Sequence, residues 1–198
     1  MVSAPKRRRG AYPSLSIGSW VALLAALVPL LGVIAPGAWI AGAMIVSAAV
    51  FAAGFIGRRY GLPAPVVSLI EAAVWVGLIT GIFLRDAAIV FVVPTLHAFR
   101  TVPVLIRDAM EQIQTGIAPL PETAALGFCI LAATGLIAIV VDHIVVTARM
   151  PLAAAIALIT VSLIPSLAVP GPFDVFGFVV LAAAILFLLR AETRTRYQ

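Results

Sequence analysis

Charge is what this chain has least of. Charged residues are 11% of its 198 positions, against roughly 25% in a soluble domain. Hydrophobic residues make up 63% and the mean hydropathy is +1.18. Such a chain cannot cover its own surface with polar groups in water, so lipid must be its main solvent, and no polar stretch is long enough to form a separate aqueous domain. The single cysteine, Cys129, excludes an internal disulfide and says nothing firm about redox compartment. Set among Phe128, Ile130 and Leu131, it reads as an inert thiol. Two isolated histidines, His97 and His143, cannot build a multi-histidine metal cage. No HExxH zinc site, no GxxxxGK[ST] phosphate loop and no Rossmann glycine fingerprint occurs, and nothing assembles a nucleophile, base and orienter. The residues point to no cofactor, no metal and no chemistry of the chain's own.

What is present is a series of apolar runs. A membrane span needs about 20 predominantly apolar residues, and that ruler predicts six, at about 14–34, 37–56, 64–84, 123–141, 152–169 and 175–189. Ala35 and Pro36 leave the first two as a tight hairpin. Pro65 suits the first turn of the third, where its missing N–H would be unpaired anyway, and Arg85 and Asp86 stop it. The expected architecture is all-α and polytopic: a basic tail at 1–13, a six-helix membrane domain at 14–190, and a second tail at 191–198. A basic N-terminus before an apolar stretch also suggests a cleaved signal peptide, but the stretch is long and no clear small-residue cleavage site precedes the next span.

Orientation follows from the basic residues, which collect on the cytoplasmic side. With six spans both termini share a side. That side holds Lys6, Arg7, Arg8, Arg9, Arg58, Arg59, Arg149, Arg190, Arg194 and Arg196, and the other holds only Arg85, Arg100 and Arg107. Both termini are therefore expected in the cytoplasm. Although the pI is near 10.4, these residues lie between spans, as a collar facing anionic lipid headgroups, and nucleic acid is not an expected partner.

The sizeable extramembrane piece, 85–122, should face outward. Its first part is too short to span, so it lengthens the third helix, lies in the interface or re-enters. Further on, Val102, Leu105, Ile106, Ala109, Met110 and Ile113 recur at helical spacing, with Arg107, Asp108, Glu111 and Gln112 on the other face. This predicts an in-plane amphipathic helix over about 102–114, started by Thr101 and Pro103 and stopped by Gly116. His97, beside Phe99, reads as interfacial.

Ionisable residues inside spans are costly and need a partner or a purpose. Glu71 lies about two turns into the third span. It is either a proton- or cation-handling group, or a structural carboxyl, protonated or paired with Arg58, Arg59 or Arg149. Ala73, Gly77 and Gly81 form a small-residue ridge nearly opposite it, a face for close helix packing, which predicts a third helix in the middle of the bundle. Asp142 and His143 close the fourth span, where an ion pair between Asp142 and Arg149 is the expected arrangement.

Several punctuating phrases resemble a known family: TGIAPL at 115–120, VDHIVVTARMP at 141–151, LRAETRT at 189–195, VPTL at 93–96 and LLGVIAP at 30–36. They are similar to the N-terminal membrane region of bacterial transglutaminase-like proteins of the TgpA type, its actinobacterial members above all. The resemblance implies an anchor in the cell membrane for an extracytoplasmic papain-like domain with a Cys, His, Asp triad, and cytoplasmic contacts with a MoxR-type ATPase system. No position here matches the triad, so no catalytic residue is carried over and the chain is not expected to be an enzyme by itself. The sequence is then a fragment, a truncated form or a stand-alone relative. The competing expectation is a small proton-coupled permease using Glu71, although the two halves show no convincing repeat.

Overall fold

In lipid every backbone N–H and C=O must be paired within the chain, and a continuous apolar run meets that demand by coiling into a helix. The computed structural model describes residues 13–85, 88–89, 93–94, 96–168 and 175–196, and seven α-helices dominate them. They are α1 (Pro13–Leu27), α2 (Ala38–Arg59), α3 (Ala64–Phe83), α4 (Leu96–Thr115), α5 (Ala124–Asp142), α6 (Pro151–Ala168) and α7 (Val175–Arg196). Among the described residues, four helical stretches are long and apolar enough to cross a membrane: Ser14–Gly32, Ala38–Arg59, Ala64–Phe83 and Ala124–Thr147. Two more apolar stretches, Pro151–Pro165 and Val175–Arg190, are shorter. The predicted basic tail, with Arg7, Arg8 and Arg9, lies outside the described residues.

Several boundaries differ from the sequence reading for local reasons. α1 stops at Leu27, and a 3-10 turn over Val28–Gly32 carries Pro29, whose ring and missing N–H disfavour a continuing α-helix. α2 runs one turn longer than expected and takes Arg58 and Arg59 into its last turn. α5 passes into a π-turn, His143–Thr147, and Arg149 then adopts a positive φ of 55°. α4 starts at Leu96, so Pro103 lies inside it rather than opening it; Ala98, buried against Leu84, extends its inner face by a turn. α3 is not lengthened by the segment after it. Instead Ala88–Ile89 (β1) and Val93–Pro94 (β2) pair antiparallel, Ala88 opposite Pro94 and Ile89 opposite Val93. The segment predicted as a tail after 190 continues α7 to Arg196.

α5 occupies the middle, touching α1, α2, α3 and α4. Two apolar cores meet along it. One joins α1, α6 and α7 to the far end of α5 through Leu23, Val141, Leu158, Leu181 and Leu188. The other joins α2, α3 and the near end of α5 through Trp39, Val46, Ile79, Leu126 and Leu131. α3, expected at the centre, lies at the edge: only 22% of its apolar window is buried, against 39–50% for the other three long stretches. α2 and α5 both pack on its Glu71 side, leaving Ala73 exposed and Gly77 and Gly81 half-buried. All three tryptophans pair their ring N–H: Trp20 donates to Ser47 Oγ at 3.1 Å, Trp39 to the Ala35 carbonyl at 3.0 Å and Trp75 to the Ala132 carbonyl at 3.1 Å.

The loops at one end are tied together. Leu120 N–H donates to the Val33 carbonyl at 2.8 Å and Ala35 N–H donates to the Leu120 carbonyl at 2.9 Å. Glu122, from the loop before α5, accepts from the free N–H groups of Ala38 and Trp39 at 2.7 and 2.8 Å, and so caps α2 from more than eighty residues away. Thr123 caps α5 by accepting from Leu126 N–H at 3.2 Å and donates its hydroxyl to Gln112 of α4 at 2.6 Å. Glu122→Ala leaves the first turn of α2 without its acceptor. The variant should lose about 1–2 kcal/mol in thermal unfolding in micelles, and amide exchange should speed at Ala38 and Trp39 while the α6 amides are unchanged.

Candidate functional site

At the opposite end from this loop knot, three helices bring charge into the interior. The last turn of α2 presents Gly54 and Arg58 on one face, since residues four apart stack on a helix. α3 contributes Glu71 and α5 ends on Asp142. Arg58 grips Asp142 with a two-pronged fork, Nη1 to Oδ2 at 2.5 Å and Nη2 to Oδ1 at 2.8 Å, the arrangement in which guanidinium and carboxylate bind most strongly. Nη1 also lies 3.7 Å from Glu71 Oε1. Glu71 is 0% exposed and Asp142 1%, so both carboxyl groups rely on one guanidinium for counter-charge. Neither oxygen of Glu71 has a hydrogen-bond partner. The group is electrically neutral when the two carboxyls hold one proton between them.

Gly54 makes this packing possible. A Cβ there would collide with Glu71 Oε1 and lie 3.0 Å from Arg58 Nη2 and 3.1 Å from Asp142 Oδ2. Beside the cluster, His143 Nδ1 and Ser68 Oγ are 3.2 Å apart, a second polar link between α5 and α3 near the surface.

The sequence singled out Glu71, Asp142 and His143, and the structure places all three at this end of α3 and α5. The expected Asp142–Arg149 pair is not formed: Arg149 lies exposed in the turn after the π-turn, while the extra turn of α2 delivers Arg58 to Asp142. Arg59 points to the exposed side. The sequence reading missed Gly54, whose signal was its place one turn before Arg58, and Glu122, an acid directly before the Thr123 cap. Among the described residues no group of three His, Cys, Asp or Glu side chains could hold a metal ion. Cys129 is half-buried and in no disulfide. The side chain of His97 lies outside the described residues.

Two cavities lie clear of the cluster. A 240 Å³ cleft lies between α1 and α2, lined by Trp20, Phe51 and Phe55 among others, and a 670 Å³ groove lies between α3, α4 and α5; Glu71 lines neither. The outward surface is apolar as well: Leu69 is 70% exposed, Phe176 73% and Leu186 67%. A water-soluble monomer does not display so much hydrocarbon.

A mainly helical body with apolar walls and a buried ion cluster defines a helical membrane protein. A family model described as the TgpA N-terminal domain matches residues 21–198, and the chain belongs to that family. No curated protein and no solved structure matches it.

Because Gly54 leaves room for Glu71, Gly54→Ala should destabilise the protein by about 1–3 kcal/mol, even though alanine is the better helix former. Adding Glu71→Ala should restore part of the loss and the isosteric Glu71→Gln should not, as read from thermal unfolding midpoints in micelles.

Proposed function

We propose that this chain is the membrane platform of a transglutaminase-like protein, an anchor that holds an extracytoplasmic catalytic domain lying outside these residues and that carries out no chemistry itself. The family match over 21–198 carries the proposal, and the absence of any catalytic constellation in the sequence agrees with it. In this reading α1, α2, α3, α5, α6 and α7 are six spans, both termini are cytoplasmic, and the Arg58 cluster lies toward the cytoplasmic leaflet. The basic residues on that side face anionic headgroups and are the natural contact for a MoxR-type ATPase system. The loop knot and α4 then face outward, with α4 in the plane of the interface. Ala98 and Ala109 of α4 rest on the bundle, while Ile106, Met110 and Ile113 remain about half exposed, toward lipid.

The competing permease reading would need a polar path through Glu71. Glu71 is fully buried and lines neither of the two cavities described above, its neighbour Arg58 is held by Asp142, and the three-helix packing around it is that of a structural lock.

Reporter fusions test the topology. An alkaline phosphatase fused after Pro119 should be active and one fused after Arg149 inactive, with the reverse for green fluorescent protein. The opposite pattern contradicts the orientation. In proteoliposomes, Glu71→Gln should leave proton flux at the level of protein-free vesicles, as for the unaltered chain. A flux that the unaltered chain supports and Glu71→Gln abolishes would favour the permease.

A further inference from the structure

The groove between α3, α5 and α4 has the shape and chemistry of a hydrocarbon site. It runs along α3 from Trp75 to Leu84, about 14 Å at 1.5 Å per residue, and its far wall is α5 from Phe128 to Leu136. α4 closes one end through Ala98, Val102 and Ile106. The lining is almost wholly carbon: the Trp75 ring N–H is occupied by the Ala132 carbonyl, and Thr80 supplies the one hydroxyl. Val76, Leu136 and Ile106 on its edges are 37%, 51% and 47% exposed, so the groove opens sideways, where a membrane helix meets lipid. A void of 670 Å³ left empty would forfeit the dispersion contacts of its whole lining.

The charges around it are asymmetric. Arg85 follows Leu84 at the end where Leu84 meets Ala98 of α4, and it is held in place by donating Nε–H to the Gly81 carbonyl at 2.5 Å. Arg100 is exposed three residues before Pro103 of the lining, on the same edge of α4. Arg107 is exposed farther along α4, but Asp108 beside it and Glu111 one turn on are exposed as well, so that stretch carries more negative than positive charge. An anionic group would therefore settle at the Arg85–Arg100 end.

We propose that this groove is a lipid site that takes one acyl chain of an anionic glycerophospholipid, with the lipid phosphate between Arg85 and Arg100. The inference rests on reading α3 and α5 as membrane spans. The occupant belongs to the bilayer, because the opening faces sideways between two spans and Arg85 and Arg100 stand at the groove's end, where a headgroup would lie.

The test uses the full chain reconstituted in vesicles containing traces of phosphatidylglycerol or phosphatidylcholine with a diazirine in the acyl chain. Phosphatidylglycerol should label the 75–84 and 128–136 peptides more strongly than the lipid-facing side of α7. Ala133→Trp, which fills the groove from an exposed position, should remove that excess and leave α7 labelling unchanged. Arg85→Gln and Arg100→Gln should each lower the preference for phosphatidylglycerol about fivefold, the equivalent of roughly 1 kcal/mol per basic residue near a membrane surface. Groove labelling no stronger than that of α7, labelling equal for the two lipids, or labelling indifferent to Ala133→Trp would overturn the site. So would a groove filled by a second copy, detected as cross-linked dimer through Val76 or Leu136 positions. Failure of the chain to float with the vesicles would instead overturn the membrane reading itself.

Discussion

The fork from Arg58 to Asp142, with Glu71 beside it, fixes how α2, α3 and α5 sit against one another. In lipid, apolar side chains gain little by leaving their surroundings, because hydrocarbon surrounds them on either side, so helices are oriented by close packing and polar contacts. Leu, Val and Ile faces alone would let α3 rotate. Burying Glu71 at 0% exposure against a guanidinium that already holds Asp142 leaves α3 one rotation, since any other would present a carboxyl group to hydrocarbon. Gly54 removes the one methyl group that would keep the carboxyl groups from reaching the guanidinium.

The other end of the same helices is fixed by different chemistry. Glu122 accepts from the start of α2, Leu120 exchanges backbone hydrogen bonds with Val33 and Ala35, and Thr123 joins α5 to α4. α2 and α5 are thus pinned near both ends, by an ion cluster at one and by caps at the other. A body held in this way fits the platform role proposed above. The groove beside α4 lies at the capped end, away from the charges that hold the helices.

Much of the fold was legible because apolar runs of about 20 residues have few alternatives to helix. Pro65 marked the first turn of α3, and of the six apolar residues spaced along α4, Val102, Leu105 and Ala109 turn inward while Ile106, Met110 and Ile113 stay about half exposed. Less legible was everything that depended on how far a helix runs. Three extra residues of α2 beyond Ile56 decided that Asp142 pairs with Arg58 and not with the nearer-in-sequence Arg149. The ridge Ala73, Gly77 and Gly81 suggested a buried third helix, but α2 and α5 pack on the carboxyl side, because an unshielded carboxyl costs more than an unfilled small-residue face. The cap on α2 was invisible for a different reason: a helix terminus shows in sequence only when its cap is local, and Glu122 reaches it from another loop.

The central claim, that the Arg58–Asp142 fork locks the bundle, is tested most directly by a double-mutant cycle. Unfolding free energies would be measured in micelles for Arg58→Leu, Asp142→Leu and the double variant. A lock predicts that Arg58→Leu, which strips both buried carboxyls of their counter-charge, costs about 3–5 kcal/mol, that Asp142→Leu, which leaves Arg58 only Glu71, costs less, and that the double variant costs markedly less than their sum. Additive losses would contradict it and would mean that packing alone, with no contribution from the ion cluster, holds α2, α3 and α5 together.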